Sequence, residues 1–80
     1  MDKNLDAKLR EIVDLAKKYE VINSSIKEKQ NMLKQLDDVA KRIQGMPNVV
    51  AYANQAAEEL KTEIASEEEM LEKIRTEMSN

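Results

Sequence analysis

Gln44-Gly45-Met46-Pro47-Asn48 is the stretch that decides the fold, and it holds both the single glycine and the single proline of the chain. Gly can close one helix in a left-handed conformation, and Pro or Asn can open the next. A turn at 45–48 therefore divides the chain into a helical arm over 3–44 and a second over 49–78. So short a connection makes the arms antiparallel neighbours. The expected fold is all-α: one domain over 1–80, folded as an antiparallel, coiled-coil-like helical hairpin.

In the second arm, Met46, Val50, Ala53, Ala57, Leu60, Ile64, Glu67, Leu71, Ile74 and Met78 recur at alternating spacings of four and three. That is a heptad seam with one polar member. Ile26, Lys29, Leu33, Leu36, Ala40 and Ile43 repeat the pattern in the first arm. Upstream, Leu5, Leu9, Ile12, Ala16 and Tyr19 read as a seam that joins the later one only if three residues are dropped. This slip falls beside Asn23-Ser24-Ser25, poor helix formers, and Ser25-x-x-Glu28 has the form of a capping box. A break at 23–25 would give a three-helix bundle. The stretch has no Gly or Pro, and polar Ser24 and Lys29 supply no hydrophobic staple, which favours one continuous helix.

Both arms carry apolar residues beside the seam: Leu15, Met32 and Val39 in the first, Val49, Ala56 and Met70 in the second. A two-helix seam does not need them. So wide a stripe belongs to a helix with more than one neighbour, as in a four-helix bundle or larger helical assembly. These six are the candidate partner or oligomer interface.

Composition points the same way. The chain has 36% charged residues, five Met, two Tyr, and neither Phe nor Trp, a signature of long helices over a thin aliphatic core. Eighty residues bury little surface, and with no Cys and no His, disulfides and most metals cannot supplement the core. Association with a copy or a protein partner remains.

Residues 1–47 hold ten Lys/Arg against eight Asp/Glu, and residues 48–80 three against eight, about +2 and −5, which sum to the net −3. Opposite signs favour pairing the two arms over pairing like with like. Lys29 and Glu67 break the apolar rule of the seam in adjacent layers. The plainer reading has both snorkel to solvent from a thin bundle. Alternatively Lys29 reaches the Glu67 carboxylate and holds register, since a paired charge is far less costly than a lone one. A third reading has the pair mark a docking point.

Chemistry finds little to work with. Nucleophilic catalysis needs Ser, Thr or Cys beside a base, usually His, and His and Cys are absent. Bundle metal sites want Glu-x-x-His pairs, zinc wants Cys or His, and one glycine builds no phosphate cradle. The chain is expected not to be an enzyme and to take no metal, cofactor or small-molecule substrate. Lys27, Lys34 and Lys41 line up seven apart, the basis of an alternative reading as a nucleic-acid-associated regulator. Interleaved Glu28, Asp37 and Asp38, net negative charge and missing aromatics argue against phosphate and base affinity.

No stretch approaches the ~18 apolar residues of a membrane span, and Met1-Asp2-Lys3-Asn4 lacks the layout of a secretory signal, so a cytoplasmic setting is expected. Residues 19–27, Tyr-Glu-Val-Ile-Asn-Ser-Ser-Ile-Lys, are similar to a segment of the small Brick-type subunit of the actin-regulatory WAVE complex. The similarity covers nine residues, and nothing in the second arm follows that family. The length and central Pro turn resemble the hairpins of type III secretion needle subunits and their small chaperones. Both are likenesses of shape, which does not carry function. The expected function is a non-enzymatic protein–protein interaction module, an adaptor, small chaperone or inhibitor, acting through helix packing.

Overall fold

The computed structural model describes residues 3–79, with side chains from residue 4 onward. Two helices make up the described chain, α1 (Lys3–Arg42) and α2 (Pro47–Ser79), packed against each other as an antiparallel hairpin with a longest dimension of 68 Å. α1 passes through Asn23-Ser24-Ser25 without interruption, so the three-helix alternative does not form.

The turn is tighter than a left-handed glycine cap. Ile43 N–H still bonds the Val39 carbonyl at 3.0 Å, and Met46 N–H closes a turn on the Ile43 carbonyl at 2.9 Å. Met46 is also the cap of α2, its carbonyl accepting from Val49 and Val50 N–H, both at 3.0 Å. Pro47 follows at the first helical position, where its missing N–H costs nothing. No described residue, Gly45 included, has a positive φ, and a Cβ at Gly45 would meet nothing within 4 Å. The helices therefore end at Arg42 and begin at Pro47, two residues short of 44 and two ahead of 49.

The core follows the heptad seam of α2: Ala53, Ile64, Leu71 and Ile74 are buried, and Val50, Ala57, Leu60, Glu67 and Met78 are half-buried. Across from them, α1 buries Ile26 and half-buries Leu15, Tyr19, Ile22, Lys29, Leu33, Leu36 and Ala40, and Ile43 is half-buried just past its end. These positions alternate by four and three without a slip. The apparent slip arises only when Leu9 and Ala16 are taken as seam members; both are exposed, and Leu15 takes the seam position. Leu15 thus sits in the hairpin seam rather than beside it. Ile26, Ile64 and Leu71 form the centre, with Tyr19, Ile22 and Leu33 packed around them.

Residues 4–14 are exposed throughout, Leu5, Leu9, Ile12 and Val13 among them. α1 is the longer helix, and the described part of α2 comes level only with the turn around Leu15, given that Arg75 meets Tyr19.

Candidate functional site

The seam divides the hairpin surface into two flanks, and residues seven apart stay on one flank. One flank is polar. In α1 its column is Asn23, Gln30 and Asp37, preceded by exposed Leu9 and Ala16 and continued by Gln44 in the turn; in α2 it is Asn54, Lys61, Glu68 and Arg75. Arg75 donates from Nη2 to the Tyr19 hydroxyl at 2.9 Å on this side, and its guanidinium lies 6.0 Å from the Tyr19 ring centre.

The opposite flank is largely apolar. Its α1 column is Lys18, Ser25, Met32 and Val39, and its α2 column is Val49, Ala56, Glu63 and Met70. The structure therefore brings five of the six candidate interface residues, Met32, Val39, Val49, Ala56 and Met70, onto one face; Leu15 lies in the seam. Ala56 is half-buried, while Met32 at 52%, Met70 at 48% and Val39 and Val49 at 44% are exposed. Val21 and Tyr52 extend the same face and are also exposed. They escape a reading of seam-adjacent positions because they stand one step further from the seam, where solvated residues are the norm.

Two open grooves run along this face. The one nearer the turn, of about 480 Å³, has Met32, Leu36, Val39, Ala56 and Leu60 as its floor and Gln35, Glu59 and Glu63 at its rim. The one nearer the open end, of about 550 Å³, has Val21, Ile22, Met70 and Ile74 as its floor and Lys17, Lys18 and Lys73 at its rim. Lys17, Lys18, Lys73 and Glu59 make no ion pair with any described residue. One rim is acidic and the other basic.

Between the grooves lies a polar layer. Lys29 Nζ donates to Glu67 Oε1 at 2.6 Å and stands 3.4 Å from Glu63 Oε2. Lys29 and Glu67 are therefore not snorkelling apart; they pair across the helices, with side chains 25% and 16% exposed. The hydrogen bond from Lys29 lowers the Glu67 pKa below its ordinary 4.5, helped by a bond from Ser25, the residue that the sequence offered as a helix cap. The bond to Glu67 likewise raises Lys29 above 10.5, Glu63 adding to it and burial opposing.

These shifts fix a pH dependence. A depressed carboxyl stabilises the fold above its unfolded value and loses that effect as pH falls through the folded one; a raised amine does so below its unfolded value and loses it as pH rises through the folded one. The stabilisation is thus complete between pH 4.5 and 10.5 and fades outside that window. Glu67→Gln should melt below wild type at pH 7, and the gap should close once the pH drops below the lowered Glu67 value. Thermal melts across the acid range check this, and a gap unchanged by pH would mean that the ion pair does not stabilise the hairpin.

Lys27, Lys34 and Lys41 are all exposed on the back of α1, away from the seam, and Lys41 is paired with Asp37 at 3.2 Å. Among the described residues no cluster of three or more His, Cys, Asp or Glu is placed to hold a metal ion, and no helix is long and apolar enough to cross a membrane. The chain matches no known protein family, no characterised protein and no solved structure.

Proposed function

We propose that this protein is a helix-docking module, which works by laying the Met32/Val39/Val49/Ala56/Met70 flank of its hairpin against helices of a copy of itself or of a larger assembly. The observation that carries this reading is the inequality of the two flanks. Both border the same seam and see the same solvent, yet one is polar from Asn23 in α1 and from Asn54 in α2, and the other presents exposed Met and Val at heptad intervals. Solvation alone gives no reason for that difference, whereas a second layer of helices covering one flank does. Methionine suits such a face, because its flexible, polarizable side chain adapts to an irregular partner. A thin core, with no side chain fully buried among the described residues, gives the hairpin reason to gain stability from what it docks onto. Adaptor, small chaperone and inhibitor are the roles that such a module fills.

The test is solution mass by light scattering over a concentration series, with helicity followed by circular dichroism on the same samples. A helical dimer or higher oligomer is the result expected of a self-docking face, and a poorly helical 9.2 kDa monomer that of a face made for a foreign helix. A fully helical, stable monomer at every concentration would overturn the docking reading, because the flank would then need no cover.

A further inference from the structure

Resting on that docking reading, we infer that the occupant of the face is a second copy of this chain, laid antiparallel so that the acidic-rimmed groove of each copy covers the basic-rimmed groove of the other. The charged rims stand at opposite ends of the face. Glu59 and Glu63 rim the groove near the turn, and Lys17, Lys18 and Lys73 rim the groove near the open end. Along α1 the groove centres are about fifteen residues apart, or about 23 Å at 1.5 Å per residue. Midway between them lies the Ser25/Lys29/Glu67 layer.

A two-fold axis through that layer, lying in the plane of the face and perpendicular to the helices, sets each groove of one copy on the opposite groove of the other. Each glutamate rim then meets the partner's lysine rim, and each apolar floor meets an apolar floor. A parallel copy would instead set Glu against Glu and Lys against Lys, which is disfavoured. The isologous arrangement is the one in which a face of opposite-signed ends is complementary to itself. It also closes, leaving no unmatched half to propagate a filament.

The size of the face is sufficient. From Lys17 to Arg42 it runs about 40 Å, and two helices side by side are about 20 Å across, so each copy covers about 800 Å². The total of about 1,600 Å² is that of a standard stable interface, and the product is a four-helix bundle whose second layer is made by the partner.

The test reverses each rim separately in the full chain. Gln35→Lys with Glu59→Lys turns the acidic rim net positive, Glu63 being left on Lys29, and Lys17→Glu, Lys18→Glu and Lys73→Glu together make both rims acidic. None of these positions lies in the seam. Each variant alone is expected to dissociate at least ten-fold more readily than wild type by light scattering. Mixed in equal amounts, the two should form a heterodimer of wild-type stability, recognised by native mass spectrometry from its intermediate mass. Circular dichroism follows folding, and recovery on mixing shows that neither variant was merely misfolded. If both variants keep the wild-type dimer while charges at Met32 and Val39 disperse it, the face stands and the antiparallel copy is overturned. A mixture that stays monomeric overturns the antiparallel copy too. A poorly helical wild-type monomer overturns the copy and leaves the face to a foreign helix; a stable helical monomer overturns both.

Discussion

If the protein assembles through this flank as proposed, Met32→Glu combined with Val39→Glu is expected to leave a 9.2 kDa monomer with helix content near that of wild type. Both side chains are about half exposed in the hairpin, so a carboxylate at either position stays hydrated within a single chain. Glu is also a good helix former, which keeps α1 intact. In the proposed assembly the same positions form the floor of a groove covered by another helix, where an ionised group would lose its hydration. A two-fold interface counts each change twice, so four carboxylates are buried where four apolar side chains packed before. At roughly 1 kcal/mol or more for each site, dissociation should rise at least ~1,000-fold, or about 4 kcal/mol. Light scattering reads the mass and circular dichroism the helicity. Wild-type mass retained by the double variant would show that the flank is not the interface. If the partner is an antiparallel copy, as inferred above, the Lys version should disperse the assembly further still, since repulsion from that copy's Lys17, Lys18 and Lys73 is added.

Much of this is legible in the sequence, and the physical reasons for the rest are specific. The turn, the two arms and the α2 seam from Val50 to Met78 can be read directly, because apolar positions there alternate with strongly polar ones and admit one register only. The start of α1 admits two. Leu5, Leu9, Ile12 and Ala16 make one heptad run, and Ile12, Leu15, Tyr19 and Ile22 make another that leads into Ile26. Residues 4–14 face no described part of α2, so nothing within the hairpin selects between the two runs until Leu15.

The turn departs from its sequence pattern in detail for a similar reason. A lone glycine before a proline suggests a left-handed cap, but Met46 supplies both the closing N–H and the capping carbonyl, and the left-handed conformation is not called upon. Lys29 and Glu67 could have snorkelled or paired; reach and register decide it, and these depend on how the helices meet. Heptad spacing places Met32, Val39, Val49, Ala56 and Met70 beside the seam, on the face proposed for docking. What it does not show is the division of charge along that face. Counting charge by arm gives +2 and −5. The rims cut across that division: Lys73 belongs to the acidic arm, yet it joins Lys17 and Lys18 only once α2 has folded back along α1.

Ile26→Ala should have the largest effect on stability of any single substitution in the seam. Ile26 is the most buried side chain described, at 5% exposure, and it joins Ile64 and Leu71 in the central cluster. Alanine is the better helix former by a few tenths of a kcal/mol, so any loss reflects packing rather than propensity. Truncating a core Ile to Ala removes about 2–5 kcal/mol, through lost transfer energy and the cavity left behind. A two-layer hairpin can collapse onto part of that cavity, which argues for the lower half of the range, about 3 kcal/mol. A domain of this size has only a few kcal/mol of net stability on its own, and a change of 1 kcal/mol moves the melting midpoint by roughly 4–8 °C. The midpoint should therefore fall by more than about 10 °C, and the hairpin without a partner should be largely unfolded. Docking draws on the same folded state, so the loss should shrink as protein concentration rises and association pulls the equilibrium back. Melts followed by circular dichroism at two concentrations, with Ile26→Val as the milder companion at about 1 kcal/mol, measure both effects. A midpoint within a few degrees of wild type would mean that Ile26 is not the centre of the core. A large drop independent of concentration would mean that folding of the hairpin is complete before any docking begins.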